Sequence, residues 1–233
     1  MPSPAVIGDN LAHVRERMRA ACTSAGRAPD SVRLLAVSKT FPAEAVAAAH
    51  AAGQSAFGEN YVQEGVAKAQ ALAHLPLEWH YIGPIQSNKT RPIAEHFAWV
   101  HGIERLKIAE RLSDQRPAHL PDLQVCIQVN ISGESSKSGL ESAALLTLAR
   151  AVAALPRLKL RGLMTIPQPA QGLDAQRAPF RELRLLLEQL NAQGLDCDTL
   201  SMGMSADMEA AILEGSTLVR IGTAIFGQRD KHQ

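Results

Sequence analysis

The chain has 233 residues, a formal net charge of +1, 46% hydrophobic residues and only 4% aromatic ones. That length buries a core large enough to need no disulfide or metal staple. Near-neutral charge and scarce aromatics exclude the basic, base-stacking surface of a nucleic-acid binder and give no electrostatic case for a membrane surface.

In chain order, "MPSPAVIGDN" lacks the basic start and apolar core of a signal segment. No uninterrupted apolar run reaches the ~18 residues of a membrane span. A helix is predicted over 11–26, where Leu11, Val14, Met18 and Ala21 share one face and Gly26 supplies the stop. Residues 1–30 read as a helical segment packed on the remainder of the chain. Eight short apolar or β-rich runs come next, at 33–38, 55–58, 79–82, 98–102, 123–130, 160–165, 199–202 and 218–221. "VCIQV" at 125–129 is the clearest buried strand, and 98–102 is the weakest. Between the runs lie stretches such as "PAEAVAAAHAAG", "RLKIAERLSDQ" and "APFRELRLLLEQLNAQG", each helix-forming with an apolar stripe, several ending in Gly.

Strand then helix, repeated, implies parallel strands with crossover helices. Eight such units predict an α/β fold, a single (β/α)8 TIM-type barrel with an extra N-terminal helix. A doubly wound sheet with fewer strands is the rival. The loosest loops, 130–139 and 167–172, are each followed by a resumed alternation, so 1–233 reads as one domain. Cys22, Cys126 and Cys197 are odd in number and far apart, with no C-x-x-C spacing. That predicts a reduced, cytoplasmic chain, with Cys126 a core thiol.

In a barrel the loops after the strands share one face and carry function. Reading strand ends in order gives Lys39, then Glu59 and Asn60, His80 and Gly83, Asn130, Met164 and Thr165, Ser201 and Ser205, and Gly222 with Thr223. Lys39 closes the apolar run of "LLAVSKT". Burial lowers an amine's pKa and leaves a neutral fraction able to attack an aldehyde; a rim lysine with a snorkelling stem fits the same residues. "VRIGTAIFG" ends a strand on Gly222 and Thr223, where backbone N–H groups and a hydroxyl can meet an anion, as late loops of barrels do. An ordinary turn also fits. Ser201 and Ser205 flank a glycine, and Ser205 equally suits a helix N-cap. Asn60 can donate to a ring oxygen or cap the next helix. His80, between Trp79 and Tyr81, can pack on a ring face or be structural. The Ser87-Asn88-Lys89 helix start can hold a second anion or simply cap.

Taken together, "LLAVSKTFP", "FGENYVQE", "WHYIGPIQSNK", "QVNISGESSKSG", "RGLMTIP" and "LSMGMSADMEAAILEGSTLVRIGTAIFG" resemble the pyridoxal phosphate homeostasis protein family over nearly the whole chain. That family is itself similar to the cofactor-binding barrel of alanine racemase, standing alone. The resemblance implies that Lys39 carries pyridoxal 5'-phosphate as an internal aldimine. It implies Ser205, Gly222 and Thr223 at the phosphate with Ser201 nearby, Asn60 at the ring's polar edge, and His80 and Met164 lining the ring pocket. By comparison with the racemase's Arg-x-Gly pattern, Arg220 faces the pyridine nitrogen. A guanidinium offers only donors, so it favours an unprotonated nitrogen and a poor electron sink.

The implied function is therefore holding the cofactor and supplying it to apo-enzymes in intracellular vitamin B6 homeostasis, without strong catalysis and without a metal. The alternative is an amino-acid racemase or related lyase. Such racemases take a tyrosine acid/base from a second domain, which the resemblance implies is missing after residue 230; only Tyr61 and Tyr81 occur here, both in barrel motifs. Losing those contacts favours a monomer. Phe41, Tyr81 and Gln168 depart from the commoner family wording and touch no proposed anchor.

Overall fold

A parallel strand reaches its neighbour only through a crossover connection, and the alternating runs of this chain supply one after every strand. The computed structural model describes residues 2–131 and 139–228. It contains β1 (Arg33–Val37), β2 (Ala56–Glu59), β3 (Glu78–Tyr81), β4 (Trp99–Ile103), β5 (Leu123–Gln128), β6 (Leu158–Met164), β7 (Thr199–Ser201) and β8 (Leu218–Ile221). All eight pair in parallel in sequence order, and β8 returns to pair with β1, closing a barrel. That closing pair rules out the open, doubly wound sheet. The helices are α1 (Pro4–Ser24), α2 (Ala43–Ala51), α3 (Val62–Ala71), α4 (Thr90–His96), α5 (Leu106–Gln115), α6 (Leu145–Ala153), α7 (Leu173–Ala192), α8 (Met208–Leu213) and α9 (Thr223–Phe226). Most of the loop and motif around "SGESSKS" lies outside the described residues.

Strand boundaries agree with the predicted runs to within two residues, and β8 agrees at both ends. Two helices begin earlier than predicted. α1 starts at Pro4 rather than Leu11, because Ser3 caps it through a hydrogen bond from the Val6 N–H and Pro4 occupies the first turn. α7 starts at Leu173 and runs through Pro179. Proline reads as a first-turn residue in sequence, yet packing of Phe180, Leu183, Leu187 and Leu190 carries the helix across it.

Successive strand residues point to opposite faces. One set, including Ala36, Phe57, Trp79, Val100, Val125, Leu163 and Val219, packs outward against the helices. The other fills the barrel in two apolar groups: Leu35, Val37, Ala56, Ile82 and Leu218, and then Trp99, Cys126 and Met164. Lys39 is two residues beyond Val37 and so leaves β1 on the inner side. α1 lies across the β8–β1 seam against α2, α8 and α9. Its buried face carries Ile7, Leu11, Val14 and Met18, with Asn10 Nδ2 donating to the Ile225 carbonyl at 2.8 Å. α7 and α8 are tied through Glu214, whose carboxylate takes hydrogen bonds from Arg177 at 2.7 Å and Arg181 at 3.0 Å. Burial would raise the Glu214 pKa, but those two guanidiniums outweigh it and hold the group below its ordinary value.

Among the described residues no helix is long and apolar enough to cross a membrane. No group of three or more His, Cys, Asp or Glu side chains there is arranged to hold a metal. All three cysteines are buried thiols, and burial pushes Cys197 up to about 11.

Candidate functional site

The C-terminal mouth of the barrel opens into a cleft of about 320 Å³. Lys39, Asn60, Ser205, Arg220, Gly222 and Thr223 line it, among Val37, Phe41, Ile82, Ile166 and Met204. Six of the nine predicted site residues thus converge, from the ends of β1, β2, β7 and β8. The other three do not line the cleft. His80, Met164 and Ser201 are wholly buried beneath it. His80 and Ser201 lie lower on the inner face, and Met164 packs on Trp99 and Cys126 in the barrel interior. A position near a strand end fixes the direction of a side chain but not its height in the barrel.

Lys39 is half-buried, and its backbone is gripped on both flanks. Lys68 of α3 buries its ammonium beneath this turn and donates to the Ser38 carbonyl at 2.8 Å, Glu59 Oε1 at 2.7 Å and Glu64 Oε1 at 2.6 Å. Ser38 Oγ donates to Glu59 Oε1 at 2.6 Å, and the Thr40 N–H donates to Glu64 Oε1 at 2.6 Å. All three ammonium protons are satisfied. Burial pushes the Glu59 carboxyl up, against the opposing pull of Lys68. Thr40 adopts φ 68°, a left-handed conformation that is strained for a β-branched residue. The clamp of Glu64 and Lys68 holds it there. Sequence reading passed over Lys68 and Glu64. Their i, i+4 spacing marked a helix-surface pair, and only the tertiary fold puts it under the first strand end.

Neither Asn60 nor Ser205 caps the helix that follows it. α3 has Tyr61, not Asn60, at its N-cap, and α8 has Asp207, not Ser205. Asp207 Oδ1 accepts from the Met204 N–H at 2.7 Å, tying the Ser205 loop. Asn60 Oδ1 is instead buried beside the cleft with no hydrogen-bond partner among the described residues. Gly222 precedes α9, and a Cβ there would lie 3.2 Å from the Val37 carbonyl oxygen. Glycine thus lets the β8–α9 loop press against the end of β1, bringing Thr223 toward Lys39. Ser87–Lys89 forms one 3-10 turn ahead of α4 and does not line the cleft.

Arg220 forms the floor. It is buried, and its Nη1 donates to the Ser201 carbonyl and to Ser201 Oγ, each at 2.7 Å. Nη2 donates to the Thr165 carbonyl at 2.9 Å. Burial lowers its pKa to about 10, which leaves it a cation at neutral pH. The site therefore sets an amine, a fixed cation, two hydroxyls and an unmatched amide oxygen around one cleft with apolar walls.

Residues 10–230 match the family described as alanine racemase, N-terminal domain. Barrel and site together thus define an alanine-racemase-type barrel. The solved alanine racemase from Bacillus anthracis shares that fold, with a TM-score of 0.72 at 17% identity over 98% of this chain and 57% of that one. Higher similarity is found elsewhere. The pyridoxal phosphate homeostasis protein of Pseudomonas aeruginosa is 63% identical over 96% of each chain. That of Escherichia coli K12 is 59% identical over 96% of this chain and 97% of its own. PipY of Synechococcus elongatus, solved with PLP bound, is 38% identical with a TM-score of 0.83, covering 95% of this chain and 100% of that one. The chain belongs to the pyridoxal phosphate homeostasis protein family.

Proposed function

We propose that this chain binds pyridoxal 5'-phosphate in the cleft through a Schiff-base bond from Lys39, and that it stores the cofactor and supplies it to apo-enzymes in the cytoplasm. One observation carries the reading: Lys39, Arg220 and the Ser205 and Thr223 side chains line one cleft together with Asn60. This occurs in a chain 38% identical to a protein solved with PLP bound. The residues present fit the group: an amine for the aldehyde, hydroxyls for the phosphate and a cation for the ring nitrogen. Ser205, Gly222 and Thr223 would take the phosphate, Asn60 the ring's polar edge and Arg220 the pyridine nitrogen, while the walls of Val37, Ile82, Ile166 and Met204 exclude water. Bound cofactor supplies an aldehyde carbon for reversible imine exchange and a ring that withdraws electrons. Arg220 limits the second property. A guanidinium donates and does not give up its proton, so the ring nitrogen stays unprotonated and strong amino-acid turnover is not expected.

The test is an absorbance spectrum followed by borohydride reduction and peptide mapping. A reduced adduct on Lys39, absent in Lys39→Ala, is expected, together with regain of activity when the loaded protein is mixed with an apo-enzyme. No adduct on Lys39 sinks the binding reading. Robust turnover of an amino acid, lost in Lys39→Ala, sinks the non-catalytic one. The chain is proposed to act as a monomer, to be checked by sedimentation.

A further inference from the structure

The barrel interior beneath the cleft holds an unbroken line of polar side chains from five strands. Arg33 of β1 and Glu78 of β3 pair at 2.6 Å near the N-terminal mouth. Glu78 Oε1 lies 2.7 Å from His80 Nε2. His80 Nδ1 lies 2.8 Å from His101 Nε2 of β4, and His101 Nδ1 lies 2.7 Å from Ser201 Oγ of β7. Ser201 Oγ accepts from Arg220 Nη1 of β8 at 2.7 Å. Both imidazoles are wholly buried. His80 is stacked on Trp99 with the rings 5.2 Å apart and 5° from parallel, which fixes its plane.

The two ends decide the direction of every bond between them. A carboxylate only accepts and a guanidinium only donates. His80 must therefore carry its proton on Nε2 and give it to Glu78, leaving Nδ1 bare. His101 must then donate from Nε2 and present a bare Nδ1 to the Ser201 hydroxyl. Ser201, its own proton committed to His101, offers its lone pairs to Arg220. This order holds with both rings neutral. Burial lowers the pKa of both, and the charges facing the rings, Arg33 and Arg220 with Glu78 and, beyond Arg220, Asp207, leave no second carboxylate to stabilise an imidazolium between the guanidiniums.

We propose that His101 and His80 are positioning residues, which orient the Ser201 hydroxyl as an acceptor and thereby fix the Arg220 guanidinium against the cleft, with Glu78 at the opposite mouth setting the polarity of the chain. Arg220 spends three of its five N–H groups on Ser201 and Thr165. Those bonds set the orientation of the guanidinium from β7 and the end of β6, whose Ser201 and Thr165 do not line the cleft. The significance of this arrangement for the ligand rests on the pyridoxal phosphate reading; the arrangement itself does not.

The test is therefore run first on the full chain without added ligand. Histidine side chains labelled with 15N report their tautomers directly by NMR, with resonances assigned by His80→Gln and His101→Gln. Both rings are expected as Nε2–H tautomers that do not titrate between about pH 6 and 8, around the ordinary histidine value. An Nδ1–H tautomer or an imidazolium at either ring overturns the proposal. Glu78→Leu removes the terminal acceptor and is expected to mix the His80 and His101 tautomers, whereas Glu78→Gln, whose amide oxygen still accepts, restores them. A space-filling role predicts no change in either variant, and that result also overturns it. With pyridoxal phosphate added, Ser201→Ala should weaken retention about two- to ten-fold, the span of one net hydrogen bond, and shift the bound absorbance band. An unchanged His101 tautomer and unchanged retention in Ser201→Ala would count against the proposal as well. If no Lys39 adduct forms while the tautomers are as expected, the cofactor reading fails and the positioning chain stands.

Discussion

Lys39 has its place because Ser38 and Thr40 are held on either side of it. The clamp concentrates two carboxylates on one buried ammonium, and breaking such a group from one side is costly. Lys68→Met should lower unfolding free energy by about 3–5 kcal/mol at neutral pH, because Glu59 is left as an uncompensated buried charge. The deficit should shrink on acidification. A carboxyl raised by burial contributes stability below its ordinary value of 4.5 and loses it as pH climbs through its folded value. Urea denaturation at several pH values checks this, and a deficit that does not vary with pH argues against it. Thr40 offers a second measurement. Thr40→Gly relieves the left-handed strain and should gain stability by about 1 kcal/mol, while slowing formation of the Lys39 adduct, since glycine frees the turn that aims the amine. Equal or faster adduct formation would show that the turn does not aim it.

Among the elements, α1 is the addition to the eight strand–helix units. It covers the seam where the chain's first and last strands meet, and α9 and the Ser205 loop lie beneath it through Asn10 and Arg17. Leu11 is fully buried at the centre of that contact. Leu11→Ala should cost about 2–5 kcal/mol, the range for a large-to-small change in a packed core, measured by chemical denaturation. A loss under ~1 kcal/mol would mean that α1 merely rests on the barrel. The strands were legible from the sequence because a buried parallel strand is a short continuous apolar run. The starts of α1 and α7 were not. Polar residues such as Asp9 and Asp174 break the apolar stripe, and Pro179 imitates a first turn; packing and the Ser3 cap outvote them.

Across the molecule, the interior chain ties acid stability to the barrel axis. The hydrogen bond from His80, with the Arg33 ion pair beside it, holds Glu78 below its ordinary 4.5. A depressed carboxyl stabilises the fold above its unfolded value and loses that contribution as pH falls toward its folded one. The wild-type chain should therefore lose stability as pH falls below 4.5, and Glu78→Gln should flatten part of that fall. Stability measured against pH for both proteins decides it, and parallel curves would rule out the coupling. Asp198, held below its ordinary value chiefly by the hydrogen bond from Arg161, contributes a share that the substitution leaves in place.

The barrel, the amine at the end of the first strand and the hydroxyl-bearing loops after the last two are all readable in the amino-acid order. Those features are local: a two-residue period, a helical stripe and a strand's final residue are written within a few positions of one another. Which strand-end residues reach the cleft is a property of the folded barrel. Asn60 and Ser205 lost their capping roles to Tyr61 and Asp207, while His80, Met164 and Ser201 sank beneath the floor. Folding also assembled Glu78, His80, His101, Ser201 and Arg220 into one line. Depth in a barrel depends on the stagger of strands far apart in the chain, and no local pattern encodes that stagger.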